Sequence, residues 1–365
     1  MKIGVLTSSR ADYGIYKPLL TKLSQRNDVD LTLIVFGMHL QKQHGYTINN
    51  IKRDAFGEIH EIEGMPINDD VIDISEGYGN VLINFAQYWN NHSYDYVFAL
   101  GDRFEMSAAV QAGIPFQIKF AHLHGGETTL GAIDNIYRDQ ITLASKLHFV
   151  STQKFADRVE LITNKIDSVH NVGALSLDGI ENLKLPSWDS VREKFNIPDK
   201  KFILVTVHPE TVAIEKNELF SKELYKALES LSKKYLIVIT SSNADTLGKI
   251  YRDLAFLLKK NNPENICLID SFGKENYFAA MEASEFLLGN TSSGILEAAS
   301  FGKYVINLGD RQAGRLRNEN VIDVKFDKED ILKSVKEIIK KETYRAGNFY
   351  FKENTADNII KIIFE

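Results

Sequence analysis

Cysteine is almost absent from this 365-residue chain. The single one, Cys267, excludes a disulfide framework and a cysteine-rich zinc site, and it fits a reducing cytoplasm. No apolar run approaches the roughly 20 residues that cross a bilayer. The apolar stretch of "MKIGVLTSSRADYG" is too short for a signal peptide and reads as a strand, so no membrane partner is expected. Positive charge is not in excess: Lys and Arg total 43 against 49 Asp and Glu, a formal net charge of -6. That balance gives no reason to expect nucleic acid or an anionic surface as partner, and an anionic ligand must be held by a local arrangement. Also missing are metal-ligand spacings, a phosphate loop ending in Gly-Lys-Ser/Thr, a Ser-His-Asp elbow, and a glycine-rich dinucleotide turn after the first strand. Neither a metal nor a cofactor is therefore expected.

What is present is 44% apolar and 25% charged residues, the balance of a globular protein. The length exceeds what one core usually organises, so two domains are expected. Short β-branched runs recur, each ending in a polar or glycine-rich cluster. In the first half they are "KIGVLTSSR", "LTLIVFG", "YVFALGDR", "IKFAHLHGG" and "LHFVST". The pattern restarts with "KFILVTVHPE", "YLIVITSSNAD", "ICLIDSFG", "FLLGNTSSG" and "YVINLGDR". Such runs, apolar on both faces and alternating with amphipathic helical segments, indicate parallel sheets covered on both sides. The polar stretch "LSLDGIENLKLPSWDSVREKFNIPDKK" reads as the connection. Two doubly wound α/β domains are expected, over residues 1–172 and 173–365, with the terminal helix packing back on the first. Parallel α/β sheets bind ligands beyond the carboxyl ends of their strands, so chemistry is sought in those clusters and in a cleft between the domains.

Each cluster has a plain and a functional reading. In "LLGNTSSGILEAASFG", Ser292 and Ser293 lie at a helix start, either as caps or where the helix dipole favours a phosphate. Glu297, further along that helix, can hold the two hydroxyls of a ribose. In "FALGDRFE", Asp102 and Arg103 follow a strand, with Glu105 one turn on; Asp102 is either a helix cap or an acid/base group. Arg10, at the end of the first strand, reads as a surface ion pair or a phosphate ligand. His208 and Arg311 occupy equivalent strand ends in the second half. The densest stretch is "HLHGGETTLGAIDNIYRDQI". Gly125 and Gly126 permit close approach or positive φ, and Glu127 and Asp134 bracket a loop leading to a helix that carries Arg138. On a strand, His122 and His124 would point to opposite sides.

Together these motifs resemble those of the hydrolysing UDP-N-acetylglucosamine 2-epimerases of bacterial sialic acid synthesis. "SSRADYG", "GDRFE", "HLHGGE", "GAIDNIYR", "HPET", "GNTSSGILEA" and "INLGDRQAGR" match in order from residue 8 to about 316. The resemblance implies a GT-B-like fold of two Rossmann-type domains with the active site between them, and UDP held mainly by the second. It implies that Arg10 and Arg103 face the diphosphate or sugar, and that His208 and Asn243 line the cleft. Ser292 and Ser293 would bind phosphate, Glu297 would take the ribose, and Arg311 would lie near the nucleotide. Asp102 and Asp134 match catalytic acidic residues of the family. In some relatives a catalytic glutamate stands where this chain has His124, and the loop before Asp134 is one residue longer here. The second proton carrier is then His124 or Glu127.

The implied chemistry is elimination of UDP to a 2-acetamidoglucal followed by hydration, giving N-acetylmannosamine from UDP-N-acetylglucosamine. Two acid/base groups with separated pKa values are required, along with positive groups at the leaving diphosphate. A close rival is the same reaction on UDP-N,N'-diacetylbacillosamine, for legionaminic acid. A non-hydrolysing epimerase, a GT-B glycosyltransferase and a non-catalytic sensor of nucleotide sugars are further alternatives. The expected small-molecule partner is a UDP-sugar, and a homo-oligomer is compatible with all of this.

Overall fold

The computed structural model describes residues 1–66, 68, 70–130, 133–210, 214–240 and 248–365. The chain forms two compact units. One comprises Met1–Glu127, Asp134–Gly179 and Tyr350–Glu365, and the other Thr128–Ile133 and Ile180–Phe349. The first carries strands β1 (Lys2–Thr7), β2 (Asp30–Phe36), β3 (Glu58–Ile62), β4 (Tyr96–Leu100), β5 (Phe120–Leu123), β6 (Ser145–Val150) and β7 (Val169–Asn171). The second carries β8 (Phe202–Thr206), β9 (Leu236–Thr240), β10 (Ile266–Ile269), β11 (Leu287–Gly289), β12 (Val305–Leu308) and β13 (Val321–Val324).

Every strand pairing among the described residues is parallel. The orders are β3-β2-β1-β4-β5-β6-β7 and β10-β9-β8-β11-β12-β13. Each sheet thus reverses its winding once, between β1 and β4 in the first unit and between β8 and β11 in the second. A doubly wound sheet opens a ligand crevice at that point. The doubly wound α/β architecture expected from the sequence is the one observed.

Side-chain alternation explains why the central strands are apolar throughout. Leu33 and Val35 of β2 belong to one core of the first unit, and Ile34 and Phe36 to the core on the opposite face. Burying each such side chain stabilises by roughly 1.5–3 kcal/mol. The second unit repeats this, with Ile203 and Val205 on one face of β8 and Phe202 and Leu204 on the other. Returning to the first unit, the helix Thr355–Phe364 adds Ile359, Ile360 and Ile363 to its core.

The first turn of the chain is tied by an acid. Ser9 caps the helix Arg10–Ser24, and Asp12 completes a capping box with it. Asp12 also accepts from Thr7 Oγ1 at 2.7 Å and from the Ser8 N–H at 2.9 Å. Burial opposes its ionisation, but His39 and these hydrogen bonds outweigh it and hold the carboxyl below the usual range.

Two histidines are paired across β5 and β6 and fully buried, His122 and His148. Burial lowers their pKa values to about 3 and about 4. Both titrate near 6.5 when unfolded, so the native state binds fewer protons. Their contribution is complete above pH 6.5 and is lost as pH falls toward 4 and then 3. Neither ring nitrogen of His148 has a hydrogen-bond partner among the described residues. Replacing it with an apolar ring should therefore leave stability at pH 7 unchanged or higher. His148→Phe is expected to flatten the fall in urea midpoint between pH 6.5 and 4, and a slope identical to that of the parent protein would contradict this.

Candidate active site

In the first unit, β4 ends at Leu100 and Gly101 turns the chain at φ +79°. Asp102 and Arg103 then precede the helix Phe104–Gly113, whose N-cap is Arg103 and not Asp102. The capping reading of Asp102 is thereby excluded. Its carboxylate pairs instead with the guanidinium of Arg138, a side chain only 2% exposed. The other terminal nitrogen of Arg138 donates to the carbonyl of Glu127 at 2.6 Å. Arg103 Nε donates to Glu105 Oε1, which also accepts from Ser8 Oγ at 3.0 Å. The fully buried Glu105 thus links the ends of β1 and β4, where the winding reverses. Arg10 begins the helix that Ser9 caps, immediately beyond β1.

β5 ends at Leu123, and His124 follows at φ +63°, a left-handed conformation uncommon outside glycine. Its N–H donates to the carbonyl of Phe149 in β6 at 2.9 Å. Its ring Nδ1 lies 2.9 Å from Glu127 Oε1, an oxygen that also accepts from Ser151 Oγ at 3.1 Å. Both His124 and Glu127 are buried, and His124 Nε2 has no hydrogen-bond partner among the described residues. Gly126 makes the turn possible: at φ +75°, a Cβ there would sit 2.4 Å from the Phe155 carbonyl oxygen. His122 plays a different part. Its Nε2 donates to the Gly101 carbonyl at 2.9 Å and its Nδ1 faces Thr142 Oγ1 at 3.1 Å, so both nitrogens are satisfied within the fold.

Asp134 opens the helix Asp134–Ala144, which carries Arg138 one turn on. Beside it, Tyr137 stacks on Tyr78 with ring centroids 5.9 Å apart. The hydroxyl of Tyr137 is pushed up by burial and then by Tyr78, Asp134 and Glu105, so these two carboxylates lie within electrostatic reach of one phenol.

In the second unit, β8, β11 and β12 are neighbours, and Asn290 binds their outgoing loops together. Its Oδ1 accepts from the His208 N–H at 2.7 Å and its Nδ2 donates to the His208 carbonyl at 2.8 Å. Its own carbonyl accepts from Gln312 Nε2 at 2.9 Å and from Arg311 Nη1 at 3.5 Å. Glu210 is pushed up by burial, although it accepts from the Asp310 N–H at 2.6 Å. Gly289, at φ +146°, passes so close to β8 that a Cβ would meet the Thr206 carbonyl oxygen at 1.8 Å. The helix after it, Ser292–Leu296, has five residues and gives way to a 3-10 turn, Ala298–Phe301. The dipole expected there from the sequence is correspondingly small. Its cap is Thr291, whose Oγ1 accepts from the Ser293 N–H at 3.4 Å, so Ser292 and Ser293 are first-turn residues and not the cap. Glu297 closes this helix and is buried.

The fold therefore groups Asp102, Glu127 and His124 with Arg103 and Asp134 in the first unit. It sets His208, Ser292, Ser293, Glu297 and Arg311 at adjacent strand ends in the second. Asn243 lies outside the described residues. Ser151, Glu210 and Gln312 were given no role from the sequence, although all three stand in polar clusters just beyond strands, where the strand-end rule directs attention; Asn290 was read only as part of the helix-start cluster with Ser292 and Ser293.

Residues 21–364 match the family model described as UDP-N-acetylglucosamine 2-epimerase. The chain belongs to that family. It is 34% identical to the Escherichia coli polysialic acid biosynthesis protein P7, over 99% of this chain and 93% of that protein. It is 32% identical to the hydrolyzing UDP-N,N'-diacetylbacillosamine 2-epimerase of Legionella pneumophila, over 99% and 95%. Among solved structures, the UDP-GlcNAc 2-epimerase of Neisseria meningitidis bound to UDP-GlcNAc superposes with a TM-score of 0.82 at 19% identity, covering both chains fully. The chain thus has the GT-B-like fold of its structural neighbours.

The pairing of Arg138 gives a direct stability test. A buried cation left without its partners, or a carboxylate left without its cation, typically costs ~3–5 kcal/mol. The Asp102 side chain is 25% exposed, so water recovers part of the loss. Arg138→Met is expected to lower the unfolding free energy by about 3 kcal/mol, read from urea denaturation. An unchanged midpoint would show that the guanidinium is dispensable to the fold.

Proposed function

We propose that the protein is a hydrolysing 2-epimerase, converting UDP-N-acetylglucosamine to N-acetylmannosamine and UDP by elimination and hydration. The observation that carries this reading is the buried histidine–glutamate pair of the first unit, His124 and Glu127, beside the Asp102–Arg138 ion pair. Inverting carbon 2 requires one group to remove its proton and another to return one to the opposite face. Asp102, Asp134 and His124 are groups of the kind that can do so. Departure of UDP builds negative charge on the diphosphate. Arg10, Arg103 and Arg311 supply positive charge for it, and Ser292 and Ser293 supply hydroxyl donors. Glu297 takes the ribose hydroxyls, and His208 and Asn243 complete the nucleotide site.

A second reading, the same reaction on UDP-N,N'-diacetylbacillosamine, is favoured by the Legionella relative named for that substrate. Both substrates undergo the same bond changes at carbons 1 and 2, and they differ at ring positions 4 and 6.

Incubation with each UDP-sugar in deuterated, heavy-oxygen water, followed by NMR and mass spectrometry of the products, separates these readings. The expected result is free UDP without the oxygen label and a 2-epimeric sugar with deuterium at carbon 2 and heavy oxygen at carbon 1. A glycosyltransferase hydrolysing its donor would keep the original carbon 2 hydrogen, and a non-hydrolysing epimerase would leave the UDP-sugar intact. Sugar product lacking deuterium at carbon 2 would sink the mechanism with either substrate.

For the acidic residues, Asp102→Asn and Asp134→Asn are expected to lower kcat by at least about 100-fold, the usual scale for losing an acid/base group. UDP affinity by calorimetry should stay within about threefold of the parent, because neither carboxylate is assigned to the nucleotide and the expected loss is in the chemical step alone. Near-full turnover in either variant would remove that residue from the mechanism.

A further inference from the structure

His124 is distinguished from His122 and His148, the two histidines paired across β5 and β6, by what its two nitrogens face. His122 has both nitrogens bonded within the fold. His148 has neither bonded among the described residues. His124 alone of the three presents one nitrogen to a buried carboxylate, with the other buried and unpartnered among the described residues. A carboxylate accepts only, so the pair is bonded when Nδ1 carries the proton, which leaves Nε2 as a lone-pair acceptor. The carboxylate is itself fixed at several points. Oε1 accepts from Ser151 Oγ at 3.1 Å, and the backbone carbonyl of Glu127 accepts from Arg138 Nη1 at 2.6 Å and from Arg158 Nη1 at 3.0 Å.

The backbone adds an independent sign. His124 is held at φ +63°, where a residue with a Cβ is strained by of order 1 kcal/mol or more. Its N–H is locked to the Phe149 carbonyl, and the loop turns on a glycine that no other residue can replace without displacing the Phe155 carbonyl. A packing role for the ring would need neither this conformation nor an unpartnered buried nitrogen, which costs stability on its own.

We propose that Ser151, Glu127 and His124 form a hydrogen-bonded triad in which His124 Nε2 removes the proton from carbon 2 of the sugar. Glu127, anchored by Ser151, is the positioning residue that fixes the ring. This rests on the hydrolysing 2-epimerase reading and assigns one of its two proton transfers. The electron pair of the C2–H bond becomes the C1–C2 double bond, the bond from C1 to the diphosphate oxygen breaks, and UDP leaves with that pair. The proton moves to Nε2, and the resulting imidazolium faces the Glu127 carboxylate through Nδ1–H, so no unpaired positive charge is buried. The arrangement parallels the role of the carboxylate in a serine hydrolase triad, where it orients the imidazole and stabilises its protonated form without itself taking the proton.

The test has one readout that needs no turnover and one that does. With nitrogen-15 in the histidine rings, the parent protein should show His124 as the Nδ1–H tautomer. Glu127→Ala should lose that preference, because no acceptor then faces Nδ1. In turnover, Glu127→Gln should lower kcat by about 100-fold or more with KM nearly unchanged, and Ser151→Ala by about tenfold, since each acts through another residue. His124→Ala should lose carbon 2 deuterium incorporation, and added imidazole should restore it at least about tenfold over the variant alone. Finding the Nε2–H tautomer in the parent protein would overturn the proposal even if the Glu127 variants failed to fold. So would near-full kcat in Glu127→Gln or in His124→Ala. If the parent released UDP from no UDP-sugar, the reaction reading would fall together with the proton transfer, whereas the ring spectrum would still decide whether Glu127 sets the tautomer.

Discussion

One guanidinium holds the first unit's candidate acids and bases in place. Arg138 is among the largest fully buried side chains of the protein, and burying a cation is tolerable only with partners. Its partners come from two strand ends: the Asp102 carboxylate beyond β4 and the Glu127 carbonyl beyond β5. Those strands are adjacent in the sheet, and Arg138 stands on the helix that Asp134 begins. Two loops and a helix that would otherwise move independently are thereby tied to one planar group. The second unit meets the same need around a neutral side chain: the amide and carbonyl of Asn290 bond the loops beyond β8 and β12.

The fold was legible where burial is complete. Ten strands read from the sequence are present, and each had a run of apolar residues with no polar face. The three that were not read, β3, β7 and β13, all lie at a sheet edge. Their exposure explains the silence: β3 is "EIHEI", with no residue fully buried, and neither β7 nor β13 has one either. An edge strand needs cover on fewer sides, so it accepts charged and polar residues and leaves no apolar signature. The same reasoning accounts for the helix after β11. The sequence "SSGILEAAS" is compatible with a longer helix, but the chain turns into a 3-10 segment after Glu297.

The candidate site was legible in place but not in its pairings. The rule that ligands gather beyond parallel strands found the clusters containing Asp102, His124, Glu127, His208, Ser292 and Arg311. It did not say that Asp102 faces Arg138, that His124 faces Glu127 through Nδ1, or that Ser151, far along the chain, completes that contact. Such pairings are set by which strands become neighbours and by a positive φ at a non-glycine residue, and neither leaves a local pattern. Spacing alone also treated His122 and His124 as equals, whereas one is consumed by internal hydrogen bonds and the other is not.

The helix Thr355–Phe364 has a consequence for how the chain is made. Its isoleucines complete a core that already contains Tyr16, Leu19, Leu20 and Leu23 from the first helix, and Lys22 pairs with Asp357 at 2.5 Å. The whole of Ile180–Phe349 is synthesised between these two halves of one core. During translation the second unit can therefore close while the first still exposes an apolar flank to the crowded cell. The earlier-made part of that core stays unsealed until Thr355–Phe364 emerges, and in that interval its apolar flank is open to aggregation.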